Sequence, residues 1–221
     1  MISTRDPAGL PAPAEFRRIL QSMAVLDAIL CPEWELRYYS FDAAWSPEEE
    51  LASMRDGSGD HVFILFAPAG CWVKGFAHEA AMSPWHADGE PQIWPGVLDS
   101  VPGEFAACLT EPAFRIEETT FCTWYRIQDA RWQRGPVPFP ANERDPDGSE
   151  ELLSPFDGDP ERYRVWAEEY YGRSVNSDAV KAIYAHEAAT ESLLAILNPA
   201  VTLESLMPDL IEIAYPCSAR I

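Results

Sequence analysis

The chain has 221 residues and a mass of 24.7 kDa, and its 47% hydrophobic and 12% aromatic content supplies one sizeable core and excludes a disordered chain. Its 36 acidic against 16 basic side chains leave a net charge of −20, too little clustered positive charge for a surface that seeks nucleic-acid phosphates. No run approaches the ~18 apolar residues of a membrane span, Met1 to Pro13 hold no apolar stretch behind a basic start, and the chain reads as cytoplasmic with no membrane partner.

Phe16, Ile19, Leu20, Met23, Leu26, Ile29 and Leu30 recur at spacings of three and four, which predicts a helix over Pro13 to Leu30 that Pro32 stops. Trp34 to Phe41 alternates, with Trp34, Leu36 and Tyr38 on one side, and predicts a half-buried strand. Ser46-Pro47-Glu48-Glu49 carries a cap, a first-turn proline and a following glutamate, and predicts a helix running to about Arg55. Asp56 to Asp60 is a glycine-rich turn. His61 to Phe66 and Cys71 to Ala77 then read as two strands of an antiparallel hairpin at the centre of a sheet, joined at Pro68-Ala69-Gly70. A short helix at Pro102 to Leu109 and a further strand at Phe121 to Ile127 complete a mixed α and β region that ends near residue 130.

Prolines 136, 138, 140 and 146 mark a connector over Ala130 to Asp147. Beyond it Ser149 to Leu153, Pro160 to Tyr171, Asp178 to Glu187 and Thr190 to Leu197 are helix-like, with Asp159-Pro160 and Ser177 as starts and Gly172 as a stop. Thr202 opens one more, with Pro208 at or near a break. The sum is an α+β fold: a small, mainly antiparallel sheet flanked by helices, with a helical C-terminal region. The expectation is one domain over 1–221, in which the helical segment 142–221 packs on the mixed segment 1–130. That C-terminal segment holds 16 acidic and 6 basic residues, half of the total net charge.

Chemistry-bearing patterns are incomplete. His78-Glu79-Ala80-Ala81-Met82 and His186-Glu187-Ala188-Ala189-Thr190 each begin like a zinc-protease helix but lack the second histidine one turn later. The loops opening at Asp56 and Asp145 alternate oxygen side chains, yet their twelfth positions are Ala67 and Phe156 where a calcium loop needs a glutamate. No nucleophile elbow or phosphate-binding glycine loop occurs, and the five cysteines form no Cys-x-x-Cys pair, so they read as buried thiols. No catalytic residue, metal or cofactor is therefore assigned. Eight tryptophans include Trp85 and Trp94 in a proline-rich stretch, where rigid amphipathic rings can anchor a partner.

Asp56-Gly57-Ser58-Gly59-Asp60, the strand Val62 to Phe66, the turn at Gly70, the strand Trp72 to Phe76 and the pair His78-Glu79 resemble the central segment of the SUKH superfamily, and Phe105 to Leu109 is similar to its later helix. The resemblance spans about residues 13 to 114. It implies an α+β fold and, for many bacterial members, immunity by binding a toxin; the segment 142–221 and the tryptophan-rich stretch Ser83 to Pro95 depart from it. The expected function is a non-catalytic acidic binding protein, an immunity protein whose partner is a basic protein such as a nuclease-like toxin, bound through Asp56, Asp60, His78, Glu79, Trp85 and Trp94. The alternatives are a hydrolase or metal-dependent enzyme gathering loop groups such as His78, Glu79 and His86, and a mimic of nucleic acid.

Overall fold

A computed structural model describes residues 2–85 and 90–218. The chain is α+β, as its pattern predicts. Its elements are α1 (Pro13–Leu30), β1 (Tyr39–Ser46), β2 (Glu49–Arg55), β3 (His61–Ala67), β4 (Gly70–Phe76), β5 (Phe121–Arg126), β6 (Arg131–Gln133), α2 (Ser149–Leu153), α3 (Pro160–Tyr171), α4 (Ser177–Tyr184), α5 (Glu191–Leu197) and α6 (Leu203–Ile213). The strands follow the order β1-β2-β3-β4-β5-β6 in one sheet. Among the described residues no helix is long and apolar enough to cross a membrane.

The backbone forms two compact units, Met1–Pro13 with Ser53–Asp157 and Ala14–Ala52 with Gly158–Ile221. In the first, β3 and β4 pair antiparallel with Phe63 opposite Lys74 and Leu65 opposite Trp72, and β4 pairs β5 with Lys74 opposite Cys122. Side chains alternate across a strand, so His61, Phe63, Trp72, Lys74 and Trp124 share one face. Phe114, from a 3-10 turn at Pro112–Phe114, packs on that face against Phe63 and Trp72, with ring centroids 5.8 and 5.2 Å away. On the other face Gly75 leaves room for the Phe121 ring, since a Cβ there would meet its Cζ at 2.0 Å.

In the second unit α1 is buried all round from Ile19 to Leu30 rather than along a single stripe. Its polar residues are satisfied inside: the Gln21 amide donates to the Ile213 carbonyl at 2.8 Å, and the Ser22 hydroxyl donates to that of Ile183 at 3.1 Å. The C-terminal helices start on side-chain caps from Asp159, Asn176, Thr190 and Thr202, the last in a reciprocal pair with Ser205.

Three local expectations are corrected. Ser46 to Glu49 is a tight turn between β1 and β2, not a helix start. Glu48 sits at φ 67°, the Ser46 hydroxyl bonds the Glu49 carboxylate across the turn, and Leu51 to Met54 are buried in succession. Burying four consecutive side chains outweighs a cap worth about 1 kcal/mol. The strand expected from Trp34 begins only at Tyr39, because Trp34 to Leu36 wind into a 3-10 turn. Lastly, α6 runs through Pro208 unbroken; the missing N–H forfeits a bond to the carbonyl of Glu204, an exposed first-turn residue that water can reach.

Candidate functional site

Four of the six sequence-predicted residues meet at one end of the β3–β4 hairpin. Gly57 and Gly59, at φ 77° and 135°, let the β2–β3 turn fold over the Asp56 carboxylate. Its Oδ1 accepts the amides of Ser58, Gly59 and Asp60 at 2.9, 3.0 and 2.9 Å. Against the burial that would raise it, these bonds and one from the Ser58 hydroxyl hold Asp56 below its ordinary pKa.

The turn aims Asp60 at the end of β4. Asp60 Oδ1 accepts the His78 amide at 2.7 Å and its Nδ1 at 2.6 Å, which fixes the imidazole with Nδ1 as donor. The other nitrogen, Nε2, stands 3.8 Å from the Glu79 carboxylate. The hydrogen bond to Asp60 raises the His78 pKa, and the nearby charges of Asp60, Glu79 and Asp56 add to it. An Asp60→Asn variant should return that pKa toward 6.5, as read by an NMR titration of the ring protons; an unchanged pKa would detach His78 from Asp60.

Beneath this corner lies a pair that no sequence motif singles out. His61 Nδ1 donates to the Gly59 carbonyl at 3.2 Å, leaving Nε2 to accept from Lys74 Nζ at 2.7 Å. Lys74 also donates to the Arg115 carbonyl at 3.3 Å, sits 5.6 Å from the Phe63 ring centre, and is 0% exposed. No carboxylate pairs with it within ion-pair distance among the described residues. Burial pushes Lys74 down to about 7, with Arg115 pressing the same way against Glu118 and Glu117. Burial, then the charge of Lys74, pushes His61 down to about 3. A lysine alternating with Trp72 and Phe76, in a chain with two lysines, is the signal that could have found it.

The second unit holds a buried carboxylate of its own. Asp27, on α1 in helical register with Met23 and Leu30, is 0% exposed. Its Oδ2 accepts the amides of Tyr38 and Tyr39 at 3.0 and 2.8 Å, and its Oδ1 accepts the Tyr163 hydroxyl at 2.6 Å. Burial raises it to about 6 against those bonds. Around it Tyr38, Tyr39, Tyr163, Trp166 and Tyr170 form a continuous set of ring contacts, with Trp166 and Tyr170 stacked at 5.1 Å. Asp147 repeats the device in the first unit, buried and raised in pKa, with the hydroxyls of Thr4 and Ser149 bonded to it.

Trp85 and Trp94 stand apart from the corner. Trp85 is 55% exposed, and the Trp94 indole donates to the Pro138 carbonyl at 3.2 Å. Among the described residues no hydrogen bond, ion pair or ring contact joins either to Asp60 or His78. His86 lies outside the described residues. His186 spends its Nε2 on the Arg18 carbonyl at 2.9 Å. Among the described residues no three His, Cys, Asp or Glu side chains converge as metal ligands, and no hydroxyl or thiol is hydrogen-bonded to His78 Nε2. Comparison of the chain with protein-family models, curated proteins and solved structures returns no match.

Proposed function

We propose that this protein works by docking, through its acidic surface, onto a basic protein, without turning over a substrate. The observation that carries the reading is where the perturbed groups lie. Asp27, His61, Lys74 and Asp147 are buried at 3% exposure or less, and their hydrogen bonds are spent on the protein's own backbone, hydroxyls and each other. Catalytic acids and bases need perturbed groups that reach a reacting atom. Among the accessible perturbed groups of the described residues, His186 is spent on the Arg18 carbonyl, Glu212 is crowded by Asp42 and Asp209, and His78 has an orienting carboxylate but no nucleophile at its outer nitrogen. That Asp60–His78 pair is what favours the second reading, a hydrolase in which His78 activates water.

A charge of −20 raises the local concentration of a cationic partner and speeds encounter at low ionic strength. The resemblance of residues 13 to 114 to the SUKH superfamily supports a narrower form, an immunity protein whose partner is a toxin. Immobilised full-length protein should retain a stoichiometric basic protein from lysate of the source cell in about 0.01 M salt, where screening extends about 30 Å. It should release it in about 1 M salt, where screening extends about 3 Å. Retention of nothing basic at either salt would overturn the reading.

A further inference from the structure

We infer that the 3-10 turn Trp34–Leu36 is the apolar anchor of the docking surface, and that it takes an apolar side chain flanked by Arg or Lys on the basic partner. The inference rests on the proposed function and gives it a place. Trp34 and Leu36 are 47% and 57% exposed within one three-residue turn. Large apolar side chains on a floppy loop would carry little meaning, but this backbone is pinned. The Leu36 amide donates to the Glu33 carbonyl and the Arg37 amide to that of Trp34, both at 3.1 Å. The Arg37 guanidinium reaches back to the carbonyls of Cys31 and Pro32 at 2.8 and 3.0 Å, and forks onto Asp209 of α6 at 2.5 and 3.2 Å. Its side chain is only 8% exposed. The Arg37 guanidinium is thus consumed in holding the turn rigid.

Rigidity lowers the entropy cost of binding, and tryptophan is enriched among the residues that carry binding energy. The surroundings choose the partner. Glu33 and Glu35 flank Trp34 as exposed residues of the same turn. Beside the Arg37–Asp209 pair, the Glu212 pKa is raised by burial and then by the charges of Asp42 and Asp209, against the opposing charge of Arg37. Glu33 and Glu35 thus flank the two apolar side chains, and the charges of Asp42, Asp209 and Glu212 repel one another, partly offset by the Arg37 guanidinium that holds the turn. A cationic segment would relieve that repulsion, whereas a second copy of a chain at −20 would add to it.

Full-length protein carrying benzoylphenylalanine at position 34 is irradiated with a labelled peptide of alternating Arg and Leu, and with its Glu-Leu counterpart. Position 127, where Ile127 is 63% exposed in the other unit, serves as the control. The expected result is about tenfold more labelling by the basic peptide at 34 than at 127, lost in about 1 M salt and reduced in an E33Q/E35Q background. Equal labelling at the two positions, or equal labelling by the acidic peptide, would overturn the inference. If the lysate still yields a basic protein in that case, the docking function stands and only its place is wrong; if it yields none, the function itself fails.

Discussion

Replacing Lys74 by methionine is expected to stabilise the fold at pH 7, by an amount that shrinks as pH rises. An unfolded lysine titrates near 10.5 and this one at about 7, so between those values the unfolded chain keeps a proton that the folded chain has lost. Stability therefore climbs with pH across that window, and at or below pH 7 the whole penalty is present. Its size is on the order of 3 to 5 kcal/mol, from the 1.36 kcal/mol of each pKa unit. Lys74→Met removes the penalty but leaves His61 Nε2 without its donor, at a cost of about 1 to 3 kcal/mol. The net expectation at pH 7 is a gain of about 1 to 3 kcal/mol. The difference between variant and parent should fall by about 3 to 4 kcal/mol between pH 7 and 10.5. Urea unfolding at several pH values checks it: a difference that does not change with pH means that Lys74 is not a buried, displaced base.

Asp27 gives the opposite slope. Its folded pKa, about 6, lies above the ordinary 3.8, so between those values the folded chain holds the extra proton and stability falls as pH rises. The full cost at pH 7 is about 3 kcal/mol. Asp27→Asn can keep the geometry, its carbonyl accepting the amides of Tyr38 and Tyr39 while its NH2 donates to the Tyr163 oxygen. It should match or exceed the parent at pH 7 and lose that advantage, by about 2 to 3 kcal/mol, on going to pH 4. Asp27→Ala instead strands two amides and a hydroxyl, and should cost on the order of 3 to 5 kcal/mol at pH 7. Urea midpoints at pH 4 and 7 separate the cases; an Ala variant as stable as the parent would remove Asp27 from the architecture.

These two residues mark the limit of what the sequence makes legible. Helix α1, the β3–β4 hairpin, β5 and the C-terminal helices could be read because their signals are local: apolar spacing, Asp and Thr caps, glycine at a stop. Ser46 to Glu49 carries equally local helix signals, yet there the burial of β2 decides, and burial belongs to the whole fold. The same holds for Trp34 and Leu36, whose alternation suggests a buried strand while the backbone turns them outward. The corner formed by Asp56, Asp60, His78 and Glu79 was legible as residues, since a glycine turn and a strand end lie side by side in any hairpin. The hydrogen bond from His78 to Asp60 was not, and neither was the Lys74–His61 contact beneath it, because each depends on strand register. Nothing local associates Ala14–Ala52 with Gly158–Ile221, since that association joins segments more than a hundred residues apart.

Function follows the same division. Net charge and missing motifs are sequence properties, and they argue for docking. The structure adds that Asp27, His61, Lys74 and Asp147 are enclosed and that Trp34 and Leu36 are exposed on a turn they share with Glu33 and Glu35. The most direct measurement is the association rate between this protein and the basic partner proposed for it, followed from about 0.01 M to about 1 M salt with the partner's own chemical state monitored. The account predicts a fall of roughly tenfold to a thousandfold and an unmodified partner. A rate indifferent to salt, or conversion of the partner into a product, would contradict it.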